Sequence, residues 1–491
     1  MSKTPQASHD VPFPQAFLDF MMQGWKPPST RLPPRVRGLA RFAARREALS
    51  QAFAGEVLIV PTGVEKVRAN DTHYRFRPGS DFYYLTGNME PDCVLVLWPH
   101  AAGKPGHQAL LFVEPNPGRT DPSFFMDRNK GELWVGPRLG VAQSQHRYGV
   151  HRAVPLGGLP KLLGGITAPW RVIGKMDPTV DALLQALHKK VAPAPHGPGE
   201  PSLAAHLSEM RLLKDPLELA ALRRACEATK RGFEDVIVAL KSRTFATPKS
   251  EREVEGVFNL RARVEGNDVG YSTIAASGAH ACVLHWTHND GGLDKGELLL
   301  LDAGVEGREL YTADVTRTLP IGGTFSPAQR RIYECVLHAQ SEALAAVRPG
   351  NDFMAPNRVA MQVLCEHLFD LGILKVSVAE AMLPQNQYYK RYTLHNVSHM
   401  LGIDVHDCAS ARAQAYKYGA LQPGMVLTVE PGLYLQKDDL TVPAKYRGIG
   451  VRIEDDVVVT RSGYDILSDL PRGSQEVEAW MQKIWRRAKK K

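Results

Sequence analysis

Residues 298–318 read LLLLDAGVEGRELYTADVTRT. The leucine run Leu298–Leu301 has the length and composition of a buried strand, and it leads straight into Asp302-Ala303-Gly304. A strand cannot solvate a carboxylate at its buried end, so Asp302 must sit at a mouth or be bound to something. Further on, alternation in TADVTRT places Asp314, Thr316 and Thr318 on one face of a second strand. Taken singly, either aspartate reads equally well as a turn or cap residue.

Downstream segments repeat the pattern of an acid at the end of an apolar run. Residues 394–407 read LHNVSHMLGIDVHD and hold three of the chain's 17 histidines, His395, His399 and His406. A spacing of four predicts that His395 and His399 share a helical face. Residues 424–432, GMVLTVEPG, read as a strand that ends in Glu430 and then turns. Residues 448–459, GIGVRIEDDVVV, read as one strand with Arg452, Glu454 and Asp456 on one face. Asp302, Asp314, Glu430 and Glu454 thus come from separate strands or strand ends, with His399 on a further segment. Were they to converge, the carboxylates would repel and raise one another's pKa, and divalent cations would remove that cost. A set of oxygen and imidazole donors without thiolate suits manganese, cobalt or zinc. Sequence order alone leaves the convergence open.

At 491 residues the chain is long enough for about two to four domains. Residues 1–35 read as an N-terminal extension, with an apolar stretch Phe13–Trp25 expected to pack on another domain or subunit. Residues 36–201 read as an α/β domain: a helix over Val36–Ala54, strands at Glu56–Pro61, Val94–Pro99 and Ala109–Val113, and a helix from Pro178 capped by Asp177. The proline-rich stretch Ala192–Pro201 marks a linker. Residues 202–491 read as an α+β domain. Its helices are expected at Pro216–Leu240, after a capping box of Ser250 and Glu253, at Pro327–Val347, at Asn357–Leu371, and from Gln475 with Ser474 as N-cap.

Hydrophobic residues are 44% and charged residues 23% of the chain, which excludes a mainly disordered or fibrous protein. No apolar run approaches the ~20 residues of a membrane span, so no membrane partner is expected. The net charge of +8 owes five charges to the tail Trp485–Lys491, which argues against a nucleic-acid surface on the body. Six scattered cysteines without C-x-x-C, and a polar N-terminus without an apolar core, are the pattern of a cytoplasmic protein.

The second half resembles the pita-bread metallopeptidases, and most closely aminopeptidase P. The strings that carry the resemblance are DAG, ADVTRT, HNVSHMLGIDVHD, LTVEPGLY and RGIGVRIEDDVVVT. Gly79-Ser-Asp-Phe-Tyr-Tyr-Leu-Thr-Gly87 resembles the family's first domain more weakly. The resemblance implies a pita-bread catalytic domain with two divalent ions, manganese foremost and cobalt or zinc as alternatives. Asp302 would chelate one ion, His399 and Glu430 the other, and Asp314 and Glu454 would bridge them. It implies removal of the N-terminal residue from peptides with proline in second position, by a hydroxide bridging the metals. Glu430 would move the proton, His285, His395 and His406 would face the substrate, and Arg452 would lie near the proline side. A homodimer or homotetramer is implied too, with Tyr83 and Tyr84 as the segment nearing a neighbour's site.

Two alternatives remain at this stage. A prolidase, restricted to Xaa-Pro dipeptides, would share the metal site but need a cation at the closed end of its cleft, for which Arg412 and Lys417 in Ala409–Ala420 are candidates. A non-catalytic pita-bread binding protein has only the basic tail in its favour.

Overall fold

The computed structural model describes residues 13–26, 31–100, 104–194, 200–241 and 250–488. Pro27, Pro28, half of the proline-rich stretch (195–199) and Lys489–Lys491 lie outside them. The chain forms two compact units, Met1–Leu203 and Ala204–Lys491.

The first unit is built on a five-stranded mixed sheet. An interior strand, Val57–Pro61, is buried along its length, pairing antiparallel with the central strand Val94–Pro99 and parallel with Trp170–Val172. His107–Val113 and Arg152–Pro155 extend the other edge. An unbroken apolar run is what a strand covered on both faces requires. The helix Pro178–His188 begins as its residues dictate: Asp177 accepts from the Thr179 and Val180 N–H groups, and Pro178 occupies the first turn. The stretch Phe13–Trp25 packs on the first α/β domain, one of the two kinds of partner expected for it. Its short helix, Gln15–Met21, packs within its own unit, with Phe17 against Phe125 at 6.2 Å and Trp25 against Phe124 at 5.4 Å. Tyr83 and Tyr84 are also core residues here, 5% and 4% exposed, with Arg45 stacked on the Tyr84 ring at 3.9 Å. Their rings serve this unit's own packing.

In the second unit, helices Pro216–Lys241, Glu251–Glu265, Pro327–Ala345, Ala355–Asp370 and Ser474–Ala488 pack around small antiparallel sheets. The Ser250–Glu253 capping box is present. Ser474 belongs to the last helix itself, and its hydroxyl accepts from Arg330 at 2.6 Å. One sheet joins Ile274–Ser277, Leu298–Ala303 and Val315–Pro320. A second joins Val426–Val429, Asp455–Val459 and Tyr464–Ile466, and a third pairs Gly432–Leu435 with Ile449–Arg452.

The stretch 448–459 is therefore two strands rather than one. It changes sheets at Ile453-Glu454, directly across from Glu430-Pro431, where the partner chain changes sheets as well. Pro431 has no N–H to continue a ladder, so the pairing must lapse there. Glu430 does not lead into a turn, as the sequence suggests; the chain runs on into strand Gly432–Leu435. The lapse in pairing brings the carboxylates of Glu430 and Glu454 to one place.

Candidate metal centre

Four strand segments and one irregular segment meet at this crossing. Asp302 and Thr316 are cross-strand partners in register, and Asp314 immediately precedes the strand Val315–Pro320. The Asp314 backbone N–H donates to Asp456 Oδ2 at 3.0 Å, and Glu454 N–H donates to Thr316 O at 3.1 Å. Residues 393–399 form no helix. They run beside Val426–Val429, with Thr428 N–H donating to His399 O at 3.0 Å and Glu430 N–H to Val397 O at 2.8 Å. His395 and His399 still reach the same centre, because an even spacing also shares a side in an extended chain.

The donors converge closely. One ligand atom each of Asp314, His399 and Glu454 lie within 4.8 Å of one another. His399 Nε2 is 3.2 Å from Asp314 Oδ2 and 3.5 Å from Glu430 Oε1. Tyr271 OH lies between the two aspartates, 2.7 Å from Asp302 Oδ1 and within hydrogen-bond reach of Asp314, so one phenol bridges both. Thr316 Oγ1 donates to Glu454 Oε2 at 2.6 Å. Arg452 pairs with Asp302 and donates to Tyr434 OH at 2.9 Å, while His395 Nε2 meets the same hydroxyl at 2.7 Å. His406 lies edge-on to His399, ring centres 4.5 Å apart. His285 occupies the irregular stretch after the turn Gly278–Cys282, close enough that its charge opposes protonation of both His395 and His406. All nine residues singled out in the sequence thus gather in this region. Tyr271 and Tyr434 do not stand out in the sequence. Tyr434 lies in LTVEPGLY, but nothing in the string marks it as a partner of Arg452 and His395.

The electrostatics follow from three buried carboxylates and the partly exposed Glu430, facing one guanidinium. Burial, then repulsion from Asp314, Glu430 and Asp302, drives Glu454 well above the carboxylate range. Burial pushes Glu430 up to about 7, although His399 and Arg452 pull the other way. Burial also raises Asp302, against Arg452. Burial opposes a charge on His399, yet Asp314 and Glu430 outweigh it and lift the imidazole to about 9. His395, buried and facing Arg452, drops to about 4 and stays neutral. Such a donor set holds more carboxylates than Arg452 and His399 can balance, and its oxygen and imidazole chemistry fits a divalent cation. The nearby phenol of Tyr271 is held far above its usual range by burial and the same carboxylates, so it remains a donor.

Beside His399 and His406 opens a cavity of about 380 Å³, lined also by Phe353, Ser398, Tyr416 and Lys417. Of the two loop cations, Arg412 is engaged with Glu209 at 2.6 and 2.9 Å, and Lys417 borders this cavity.

Comparison with known proteins gives the following. Residues 220–461 match the model for metallopeptidase family M24, and residues 42–171 match that for the aminopeptidase P N-terminal domain. A Xaa-Pro aminopeptidase 1 of Streptomyces coelicolor is 48% identical over 465 residues, covering 94% of this chain and 91% of the relative. Among solved structures, aminopeptidase PepP of Pseudomonas aeruginosa superposes with a TM-score of 0.80 at 32% identity, covering 94% of this chain and 100% of that one. Zinc-substituted Escherichia coli aminopeptidase P in complex with product gives 0.80 at 32% identity, with 91% and 99% covered.

Proposed function

This chain belongs to metallopeptidase family M24, among the Xaa-Pro aminopeptidases, and with that as premise we propose that it removes the N-terminal residue from peptides with proline in second position. The observation that carries the reading is the gathering of Asp302, Asp314, His399, Glu430 and Glu454 around one point, beside His395, His406 and Arg452. Asp302 would hold one divalent ion and His399 and Glu430 the other, with Asp314 and Glu454 supplying donors to both. Manganese is the expected metal, with cobalt or zinc as alternatives. When bound, two such ions supply Lewis acidity, lowering the pKa of water and polarising a carbonyl.

The chain's own residues do the rest. Tyr271 and Thr316 orient the shared carboxylates through hydrogen bonds, which fixes the donors before substrate arrives. Glu430 accepts the proton of the attacking water and returns it to the proline nitrogen as the Xaa–Pro bond breaks. His285 and His406 hydrogen-bond the substrate and the oxygen that gains negative charge. Neutral His395 and Arg452, joined through Tyr434 OH, shape the side that receives proline, whose ring lacks an N–H and restricts its neighbours.

We further propose a cytoplasmic homo-oligomer, dimer or tetramer, without a nucleic-acid or membrane partner. All six cysteines are free and buried, and among the described residues no helix is long and apolar enough to cross a membrane. The prolidase alternative is weakened by Arg412, whose guanidinium is committed to Glu209. A length series tests the choice. After chelation and return of manganese, Xaa-Pro-Yaa and longer peptides should be cut, and N-acetylated peptides should not. Turnover of Xaa-Pro dipeptides alone would replace this reading with prolidase, and Lys417→Ala should then admit longer substrates.

A further inference from the structure

Helix Glu251–Glu265 opens with a carboxylate that is fully buried. Both of its oxygens are engaged twice. Oε1 accepts from the Ser277 N–H at 2.7 Å and meets His280 Nδ1 at 2.8 Å. Oε2 accepts from the Trp286 indole N–H at 2.8 Å and from the Gly291 N–H at 2.7 Å. These donors come from the start, middle and end of one segment, 278–292 and the residue before it. The Glu251 N–H returns a bond to Gly291 O at 2.9 Å. Gly291 allows this closeness, since a Cβ there would lie 2.9 Å from Glu251 Oε2 and 2.7 Å from a His280 ring carbon. His280 in turn stacks on Trp286, ring centres 3.9 Å apart.

The segment so gathered is irregular from residue 283 to 291, with no ladder to hold its shape. It carries His285. The residues on either side, Leu284 and Trp286, pack against a cluster that contains Tyr434, the hydroxyl partner of His395 and Arg452. The path from the buried carboxylate to the candidate centre therefore runs through one short stretch of chain.

We propose that Glu251 is a positioning residue: its carboxylate clasps segment 278–292 and thereby sets His285 against the substrate. This rests on the reading of His285 as substrate-facing. The clasp needs a carboxylate. An amide would turn an NH₂ group toward two N–H donors, and aspartate is one methylene too short to reach both ends of the segment at once. A buried carboxylate that satisfies four donors also leaves those donors stranded when it is removed.

The test uses the full-length, manganese-loaded protein, with wild type, Glu251→Gln, His285→Ala and the double variant compared on Xaa-Pro-Yaa. Glu251→Gln is expected to lower kcat/KM about 10–100-fold, the range typical of outer partners that orient a site's imidazoles. Metal content should stay at the wild-type level, and hydrogen exchange should accelerate across 278–292 alone. In the His285→Ala background the same substitution should cost little more, because both act on one path. Fully additive losses, or unchanged exchange in the segment, would overturn the proposal. Should Glu251→Gln fail to fold, Trp286→Phe removes one donor while keeping an aromatic ring, and it should show the same pattern at lower amplitude. A wild type that cleaves no Xaa-Pro peptide would overturn the proposed function. Release of 278–292 by Glu251→Gln would still uphold the clasp.

Discussion

Two buried groups of charges lie on opposite faces of the same strands in the second unit. On Val315–Pro320, Thr316 and Thr318 turn toward the candidate centre, while Arg317 between them turns away. On the neighbouring chain, Glu454 faces the centre and Asp455 faces Arg317. Arg317 is fully buried and complete. Its Nε donates to Pro471 O at 2.8 Å, Nη1 to Thr316 O and Glu454 O at 2.9 and 2.5 Å, and Nη2 to Asp455 and Leu470 O at 2.7 and 3.0 Å. Asp455 accepts also from Ser468 at 2.6 Å and Gln340 at 2.9 Å. On the other face, four carboxylates share one guanidinium. Most of both groups is buried, with Glu430 and His399 the exceptions at 16% and 17% exposed, so burial alone does not separate a structural cluster from a functional one. Charge balance and the satisfaction of donors do.

The largest expected effect breaks the unbalanced face. Asp314→Asn or Glu454→Gln should reduce peptidase activity to background and release metal, measured by elemental analysis, since each removes a shared donor. Chelation of the wild type should mimic this, and manganese or cobalt should reverse it. If either variant kept two tightly bound ions and full rate, the ligand assignment would be wrong.

The balanced face should answer in the opposite currency. Arg317→Met leaves buried Asp455 with only Arg472, 3.9 Å away, as a cation and should cost about 3–5 kcal/mol in denaturant unfolding. Metal affinity of the folded protein should hardly change. Replacing both partners by apolar residues, Arg317→Met with Asp455→Leu, should recover much of the loss, because no charge is then stranded. A single variant as stable as wild type would erase the contrast between the faces.

A smaller effect sharpens the boundary between ligands and substrate contacts. His406→Ala should keep its metal and lose about 10²-fold in kcat, the scale of one donor to a developing oxyanion. Metal loss repaired by excess ion would make His406 a support of the ligands instead.

The smallest effect is on the stability of the chelated protein. Burial lifts Glu430 from 4.5 to about 7, and Asp314 and Glu430 lift His399, against burial, from 6.5 to about 9. Both groups bind protons more tightly folded than unfolded. Their contribution is complete below 4.5 and 6.5 and is lost as pH climbs through 7 and 9. The Tm of chelated protein should therefore fall by a few degrees as pH rises across this window, by calorimetry. Manganese should restore more of it at the alkaline end, where its donors are already deprotonated. A Tm that rose with pH would contradict the shifts.

Much of this was legible before any coordinates. The helix caps at Asp177 and Ser250 are local chemistry, and they form where the residues call for them. The strands Val57–Pro61 and Leu298–Ala303 follow from uninterrupted apolar runs. Alternation correctly puts Asp314 and Thr316 toward one centre. Aromatic residues such as Phe17 and Tyr84 bear no mark of which partner they pack on, and only the structure pairs them with Phe125 and Arg45.

By itself the sequence determined the inventory: which acids and imidazoles are present, that apolar runs end in them, and which family strings surround them. Only the tertiary structure decided where those ends meet. The break of 448–459 into two strands at Ile453-Glu454, opposite Pro431, is a property of two chains that leave their ladder together, and neither stretch encodes it alone. The same holds for Tyr271 between Asp302 and Asp314, for Arg317 facing away from its neighbours' site, and for Glu251 under the segment that carries His285. Periodicity is a local quantity, set by 3.6 or 2 residues, and it says which side of an element a side chain occupies. Which element covers that side depends on register and crossing between residues distant in the chain, and the buried charge balance exists only once they have packed.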